Sequence, residues 1–166
     1  MKFLIILHCF ISFLLASNYI EPFNANFNQT VTNINNKTLT YNGQIFTSSK
    51  NQILWKYKNP TIKNIYINKT EVIVEEPELE QAIITNINNS LNLNTIIKNA
   101  NQISKTKYET IINNTKYTLI IENKKINTIS YKDELENKIS INFSDIKLNP
   151  NNKNEIFIFL PKEDYD

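Results

Sequence analysis

The sequence predicts an all-β domain: an antiparallel meander of about ten or eleven short strands, curled into a barrel or split into two sheets, with one short helix as a lid. Three observations carry this. Apolar and polar residues alternate with period two along most of the chain. The alternating runs are short and separated by tight polar breaks rich in asparagine. Only one segment, Leu91 to Ala100, shows helical spacing.

Taken in order, Phe23, Ala25, Phe27, Gln29 and Val31 share one face of a half-buried strand, with Asn24, Asn26, Asn28 and Thr30 on the other. Thr32 to Asn36 supplies turn residues, and Lys37 to Thr47 forms a second strand with Leu39, Tyr41 and Ile45 on one face. Ile53, Trp55 and Tyr57 alternate with Leu54, Lys56 and Lys58 in a third, stopped by Asn59-Pro60. Ile62 to Ile67 and Val72 to Glu75 make a hairpin broken at Asn68-Lys69, and Leu79 to Ile87 makes a sixth strand. In Leu91 to Ala100, Ser90 or Asn92 is available as a cap, and Leu93, Ile96 and Ile97 form one stripe. So short and asparagine-rich a helix needs a surface to lie on. Strands resume at Lys107 to Asn113, Lys116 to Glu122, Ile126 to Lys132, Lys138 to Ile146 and Glu155 to Leu160. An acidic tail, Glu163 to Asp166, follows.

The 166 residues suffice for one domain. Lys2, the apolar run from Phe3 to Leu15, and the small residues Ala16 and Ser17 have the form of a secretory signal peptide, too short to span a membrane. The expected organisation is a leader over residues 1–17 and a single exported, soluble domain over 18–166. Cys9 sits inside the apolar run, behind Leu7 and His8, unlike a lipid-attachment cysteine.

His8, Cys9 and Met1 are the only residues of their types and leave with the leader. A Ser-His-Asp triad, a Cys-His pair and an N/S zinc site are therefore excluded from the remainder. Gly43 is the only glycine, which excludes glycine-rich phosphate loops. No cofactor is expected. All 18 basic residues are lysines, and with Lys2 gone their balance against 16 acids is near neutral, so nucleic acid is not an expected partner. Two carboxylate clusters remain: Glu75, Glu76, Glu78 and Glu80 around Pro77, and Asp133, Glu134 and Glu136 around one turn. Paired acids can hydrolyse glycosides or hold calcium, but these lie in turns, where carboxylates are ordinarily solvated, and lack the EF-hand glycine. The expectation is no catalytic residue and no metal. Inward strand faces rich in Ile, Leu, Val, Phe, Tyr and Trp can enclose a cavity for apolar ligands; a close-packed sandwich fits the composition too.

A series of short motifs goes further. Phe23-Asn24-Ala25-Asn26-Phe27-Asn28-Gln29, Tyr41-Asn42-Gly43, Leu54-Trp55-Lys56-Tyr57 with Asn59-Pro60, Ile65-Tyr66-Ile67-Asn68, Glu71 to Leu79 and Gln81-Ala82 resemble, in order and spacing, the LolA family of periplasmic lipoprotein carriers. Asn154 to Phe159 with Pro161 is compatible with that family's end. The resemblance implies an open, incomplete antiparallel barrel with a helical lid over an apolar cavity. The protein would be a periplasmic monomer that takes lipoproteins from an inner-membrane ABC transporter and delivers them to an outer-membrane acceptor. The alternative is a LolA-like barrel that binds or senses lipidated ligands without shuttling them.

Carried over by position, Ile53, Trp55 and Tyr57 would face the cavity, together with Ile65, Ile67, Val72 and Val74, although both faces of those last two strands are apolar. Leu93, Ile96 and Ile97 would form the underside of the lid. The chain departs from the family in three ways. Little room precedes Phe23 for the family's helix at the barrel floor, and an extra C-terminal strand is not expected. The family's arginine clasp between barrel and lid has no counterpart but Lys50, a weaker, non-bidentate group.

Overall fold

The computed structural model describes residues 20–86 and 93–161. The expected leader and acidic tail lie outside the described residues.

Eleven strands form one antiparallel sheet. They are β1 (Phe23–Thr32), β2 (Thr38–Thr47), β3 (Gln52–Asn59), β4 (Lys63–Asn68), β5 (Glu71–Glu76), β6 (Gln81–Asn86), β7 (Asn101–Gln102), β8 (Lys107–Ile112), β9 (Thr115–Glu122), β10 (Lys125–Lys132) and β11 (Lys138–Leu148). One helix, α1 (Leu93–Asn99), falls between β6 and β7. Across the sheet the order is β6-β5-β4-β3-β2-β1-β11-β10-β9-β8-β7. The first strand is thus central, gripped by β2 on one side and β11 on the other, and β6 and β7 are free edges. The barrel is open, as expected.

Asparagine does the work that glycine does elsewhere. Asn113-Asn114 and Asn123-Lys124 join their hairpins with both residues at positive φ, between 50° and 64°, as a two-residue turn matched to strand twist requires. Four-residue turns use another device. Asn33 Oδ1 accepts from the backbone N–H of Asn35 and of Lys37, each at 3.0 Å. Asp133 Oδ1 does the same for Leu135 and Asn137 at 2.9 Å. In each turn the fourth residue, Asn36 or Glu136, is left-handed. These local side-chain bonds fix strand length and hence register.

Register sets the inner face. Ala25 stands opposite Ile45, Ile45 opposite Trp55, Trp55 opposite Ile65, and Ile65 opposite Val74. On the other flank Phe27 faces Phe143, Gln29 faces Ile141, Ile141 faces Ile129, and Ile129 faces Leu119. All of these positions but Gln29 form one hydrophobic cluster with the helix.

The C-terminal segment departs from expectation. Glu155 to Leu160 is not a strand: Asn154–Phe157 forms a 3₁₀ turn laid against β3 and β4. Leu54, Tyr66 and Ile73 stand opposite one another on the outer face. Leu54 and Ile73 are buried, as is Phe157, yet none belongs to the inner cluster. The Phe159 ring lies 5.8 Å from Tyr66, and Asn68 Nδ2 donates to the Phe157 carbonyl at 3.2 Å. A small second core on the outer face claims this segment, and the central strands already have both neighbours. The sixth strand begins at Gln81 rather than Leu79, because Pro77–Leu79 makes a 3₁₀ turn closed by the left-handed Glu80. The brief β7 pairing was not anticipated.

Candidate functional site

The site grows from β3. Its alternation places Ile53 (1% exposed), Trp55 and Tyr57 on the inner face, where strand neighbours bring Ile65 and Ile67 from β4 and Val72 and Val74 from β5 into the same cluster. Of the seven, Ile53, Ile67 and Val72 are buried and the others half-buried. Leu93, Ile96 and Ile97 of α1 are buried against this cluster, at 5%, 6% and 3% exposure. The structure therefore brings together all ten apolar residues singled out from the sequence, in one cluster on the inner face of the sheet that includes the buried stripe of a seven-residue helix.

Further members come from β1, β2, β10 and β11, and the same period-two pattern could have found them. Phe27 packs edge-on to both Trp55 and Tyr57, at ring separations of 5.0 and 4.9 Å. Phe143 lies 6.1 Å from Trp55, and Tyr41 stands edge-on to Tyr57. Gly43 makes this arrangement possible. A Cβ there would strike the Lys56 carbonyl and sit 2.8 Å from two atoms of the Phe27 ring, so only glycine lets that ring lie across β2.

One end of the trough is polar. Tyr57 Oη donates to Gln29 Oε1 at 2.8 Å. Burial pushes the Tyr57 hydroxyl well above the usual tyrosine range, with smaller contributions from Tyr131 and Tyr41. Tyr131 is raised in the same way by burial, then by Tyr117 and Asp133. Uncharged hydroxyls, that of Tyr57 hydrogen-bonded, stand there without placing an ion beside the apolar surface.

The helix meets the barrel rim at the turn after β2. Asn94 Nδ2 donates to Asn51 Oδ1 at 3.2 Å. Lys50, next in the chain, is exposed, and its own N–H is held by Ser48 Oγ. A cleft of about 260 Å³ runs between this turn and the helix, from Glu21 and Lys98 at its polar wall to Phe23 and Ile97 in the core.

Within the carboxylate clusters, Glu75, Asp133 and Glu136 have structural partners. Glu75 is buried on the outer face, where it accepts from Asn64 Nδ2 at 2.8 Å and Tyr66 Oη at 3.1 Å. Asp133 anchors its turn, and the Asn137 side chain, ahead of two backbone N–H groups, holds its carboxyl below the usual range. Asp133, Glu134 and Glu136 rim an outer depression of about 830 Å³ floored by Thr30, Ser140, Ser130 and Thr118. Among the described residues no group of three acidic, histidine or cysteine side chains is placed to hold a metal, and no helix is long and apolar enough to cross a membrane.

Residues 18–116 match the family described as outer membrane lipoprotein carrier protein LolA. A Campylobacter jejuni protein named outer-membrane lipoprotein carrier protein is 39% identical over 154 residues, covering 93% of this chain and 89% of that protein. A Helicobacter pylori protein of the same name is 37% identical over 145 residues, 87% of this chain and 78% of its own. Among solved structures, a LolA superfamily protein from Nitrosomonas europaea superposes with a TM-score of 0.56 at 12% identity, covering 84% of this chain and 90% of the other. An uncharacterized conserved protein from Thermus thermophilus gives 0.55 at 9% identity, over 89% and 90%. At such identities the likeness is one of fold.

Proposed function

This chain belongs to the LolA family of outer membrane lipoprotein carrier proteins, and from that premise we propose that its helix-roofed trough shelters the acyl chains of lipoproteins on their way to the outer membrane. One observation supports the reading: seven strand positions and three helix positions form a single apolar cluster, the helix positions lying on one short element.

The energetics suit a carrier. Lifting α1 exposes Leu93, Ile96 and Ile97, at a cost of about 5–9 kcal/mol for three buried side chains. A buried methylene returns about 0.8 kcal/mol, so on the order of ten methylenes replace the helix. Cargo and roof thus compete for one surface on nearly equal terms. Three fully buried chains would exceed the practical affinity ceiling near 20 kcal/mol, so deliverable cargo is only partly buried.

In this reading Ile53, Trp55, Tyr57, Ile65, Ile67, Val72 and Val74 are the cavity wall and Leu93, Ile96 and Ile97 the lid. The domain works in the periplasm as a monomer, after loss of residues 1–17; the family match beginning at residue 18 supports that boundary. An inner-membrane ABC transporter supplies the lipoprotein and the loading energy, and an outer-membrane acceptor with a better-fitting pocket draws the chains out. Binding and release need no catalytic residue, metal or cofactor.

The test is native mass spectrometry of protein purified gently from its host, alongside Ile53→Glu and Tyr57→Glu variants. Lipoprotein should accompany the parent and be reduced in the variants. A parent free of lipidated protein, or variants that carry as much as the parent, would refute the assignment.

A further inference from the structure

The helix roof and the barrel rim also frame a second cleft, of about 480 Å³, lined by Lys50, Asn51, Lys69, Asn94, Thr95 and Lys98, with Asn99 at its edge. Its three lysines come from three separate elements: the β2–β3 turn, the β4–β5 turn, and the last turn of α1. No lining residue is acidic, and none of the ion pairs among the described residues involves these lysines. The carboxylate of the adjoining cleft, Glu21, accepts from Asn149 Nδ2 at 2.7 Å.

Three ammonium groups around one cleft repel one another, and the repulsion acts across the seam between lid and barrel. Lys50 and Lys69 stand on the rim and Lys98 on the helix, so lysine alone cannot clasp the lid. An anion between them would add an ionic clasp to the neutral Asn94 to Asn51 bond. We propose that this cleft binds a phosphoryl group, which bridges Lys98 of the lid to Lys50 and Lys69 of the rim.

The chemistry favours phosphoryl over carboxylate. Three lysines on separate walls of one cleft can serve the several oxygens of a tetrahedral anion, whereas two would satisfy a carboxylate. Side-chain amides of Asn51, Asn94 and Asn99 and the Thr95 hydroxyl add neutral hydrogen-bonding partners to the wall. The volume admits a phosphodiester headgroup as well as free phosphate. Bound there, the anion turns a repulsive seam into an attractive one and sets how readily the roof lifts. The site stands on this cleft and not on the acyl trough, so either can fail alone.

Two ligand sources are separated by two measurements on the mature chain. Inorganic phosphate is titrated while the amide resonances of Asn51, Thr95 and Lys98 are followed, and flotation compares phosphatidylcholine vesicles with and without phosphatidylglycerol. A triple Lys50→Gln, Lys69→Gln, Lys98→Gln variant is set against a charge-matched Lys37→Gln, Lys58→Gln, Lys124→Gln control. Shifts with phosphate identify a site for the free ion; binding only to anionic vesicles identifies a headgroup site. In either case the cleft variant should lose about a hundredfold in affinity relative to the control, roughly tenfold or less per lysine. Absence of both forms of binding, or equal losses in the two triple variants, overturns the proposal. A Trp55 response to lipopeptide that persists in the cleft variant shows that the trough is intact, whichever way the anion experiment falls.

Discussion

Replacing Ile97 with alanine tests whether the roof is an independently opening unit. Ile97 is 3% exposed and contributes, with Leu93 and Ile96, the apolar contacts that hold α1. Those three side chains supply about 5–9 kcal/mol. Ordering the seven residues of the helix costs at least about 1 kcal/mol each. The two terms nearly cancel, so closure rests on a small difference and on local bonds such as Asn94 to Asn51. Removing the Ile97 side chain beyond Cβ costs about 2 kcal/mol or more in a packed site, enough to turn a mostly closed lid into a mostly open one. The consequence should be local. Hydrogen exchange should show the amides of residues 97–99 losing most of their protection, by up to about tenfold, while those of β3 keep theirs. The melting temperature should fall by less than about 2 °C, because an open lid no longer draws on the global stability. A helix that is part of the cooperative core predicts instead a fall of about 4–8 °C for the same 2 kcal/mol in a domain of this size. That larger shift, with β3 and α1 losing protection together, would refute the argument and with it the separable roof.

Trp55 is the only tryptophan, so intrinsic fluorescence reads the trough alone. Lipopeptides with brominated acyl chains should quench it, and unbrominated ones should shift its emission; unchanged emission with demonstrably bound lipid would place the cargo elsewhere. Gly43→Ala should destabilise by about 2 kcal/mol or more, since both the Lys56 carbonyl and the Phe27 ring must move; a lower urea midpoint at unchanged slope is the expected record, and an unchanged midpoint contradicts the crowding. Tyr57→Phe should cost about 1–3 kcal/mol by leaving Gln29 Oε1 without its buried donor. Because the folded-state hydroxyl is raised above the ordinary tyrosine value of 10.0, its stabilisation is whole below pH 10 and declines as pH rises toward the folded value. Alkaline denaturation followed by circular dichroism should therefore be less steep in Tyr57→Phe than in the parent, and parallel curves would count against a buried phenol.

Much of this architecture is legible from one dimension because two local rules coincide. Alternation tells which residues of β1 and β3 share a face, and the polar pairs Asn113-Asn114 and Asn123-Lys124 mark where hairpins reverse. The stripe Leu93, Ile96 and Ile97 likewise announces a helix with one covered side. Legibility fails where both faces of a strand are apolar. Ile65-Tyr66-Ile67 and Val72-Ile73-Val74 do not reveal their inner side, because Tyr66 and Ile73 serve an outer core completed by Phe157, a residue distant in sequence. The same distance explains why Glu155 to Leu160 reads as a strand: its apolar residues answer to that outer surface, not to a ladder. At the helix, the family resemblance points to Lys50, and the structure adds a direct bond from Asn94 to its neighbour Asn51, which sequence could not show because which side chain of a tight turn reaches across depends on backbone dihedrals.

Among the described residues, eleven other than glycine adopt positive φ, including Lys69, Glu80, Lys124 and Glu136, which lack asparagine's tolerance for that geometry. Each holds roughly 1 kcal/mol of backbone strain that glycine would release, partly offset by the greater freedom glycine confers on the unfolded chain. Strain of this kind sits in hairpin tips and not in the trough. An engineer seeking a hardier version of this domain can therefore begin at its corners, exchanging Glu80, Lys124 and Glu136 for glycine, and leave Lys69 and the apolar inner face untouched.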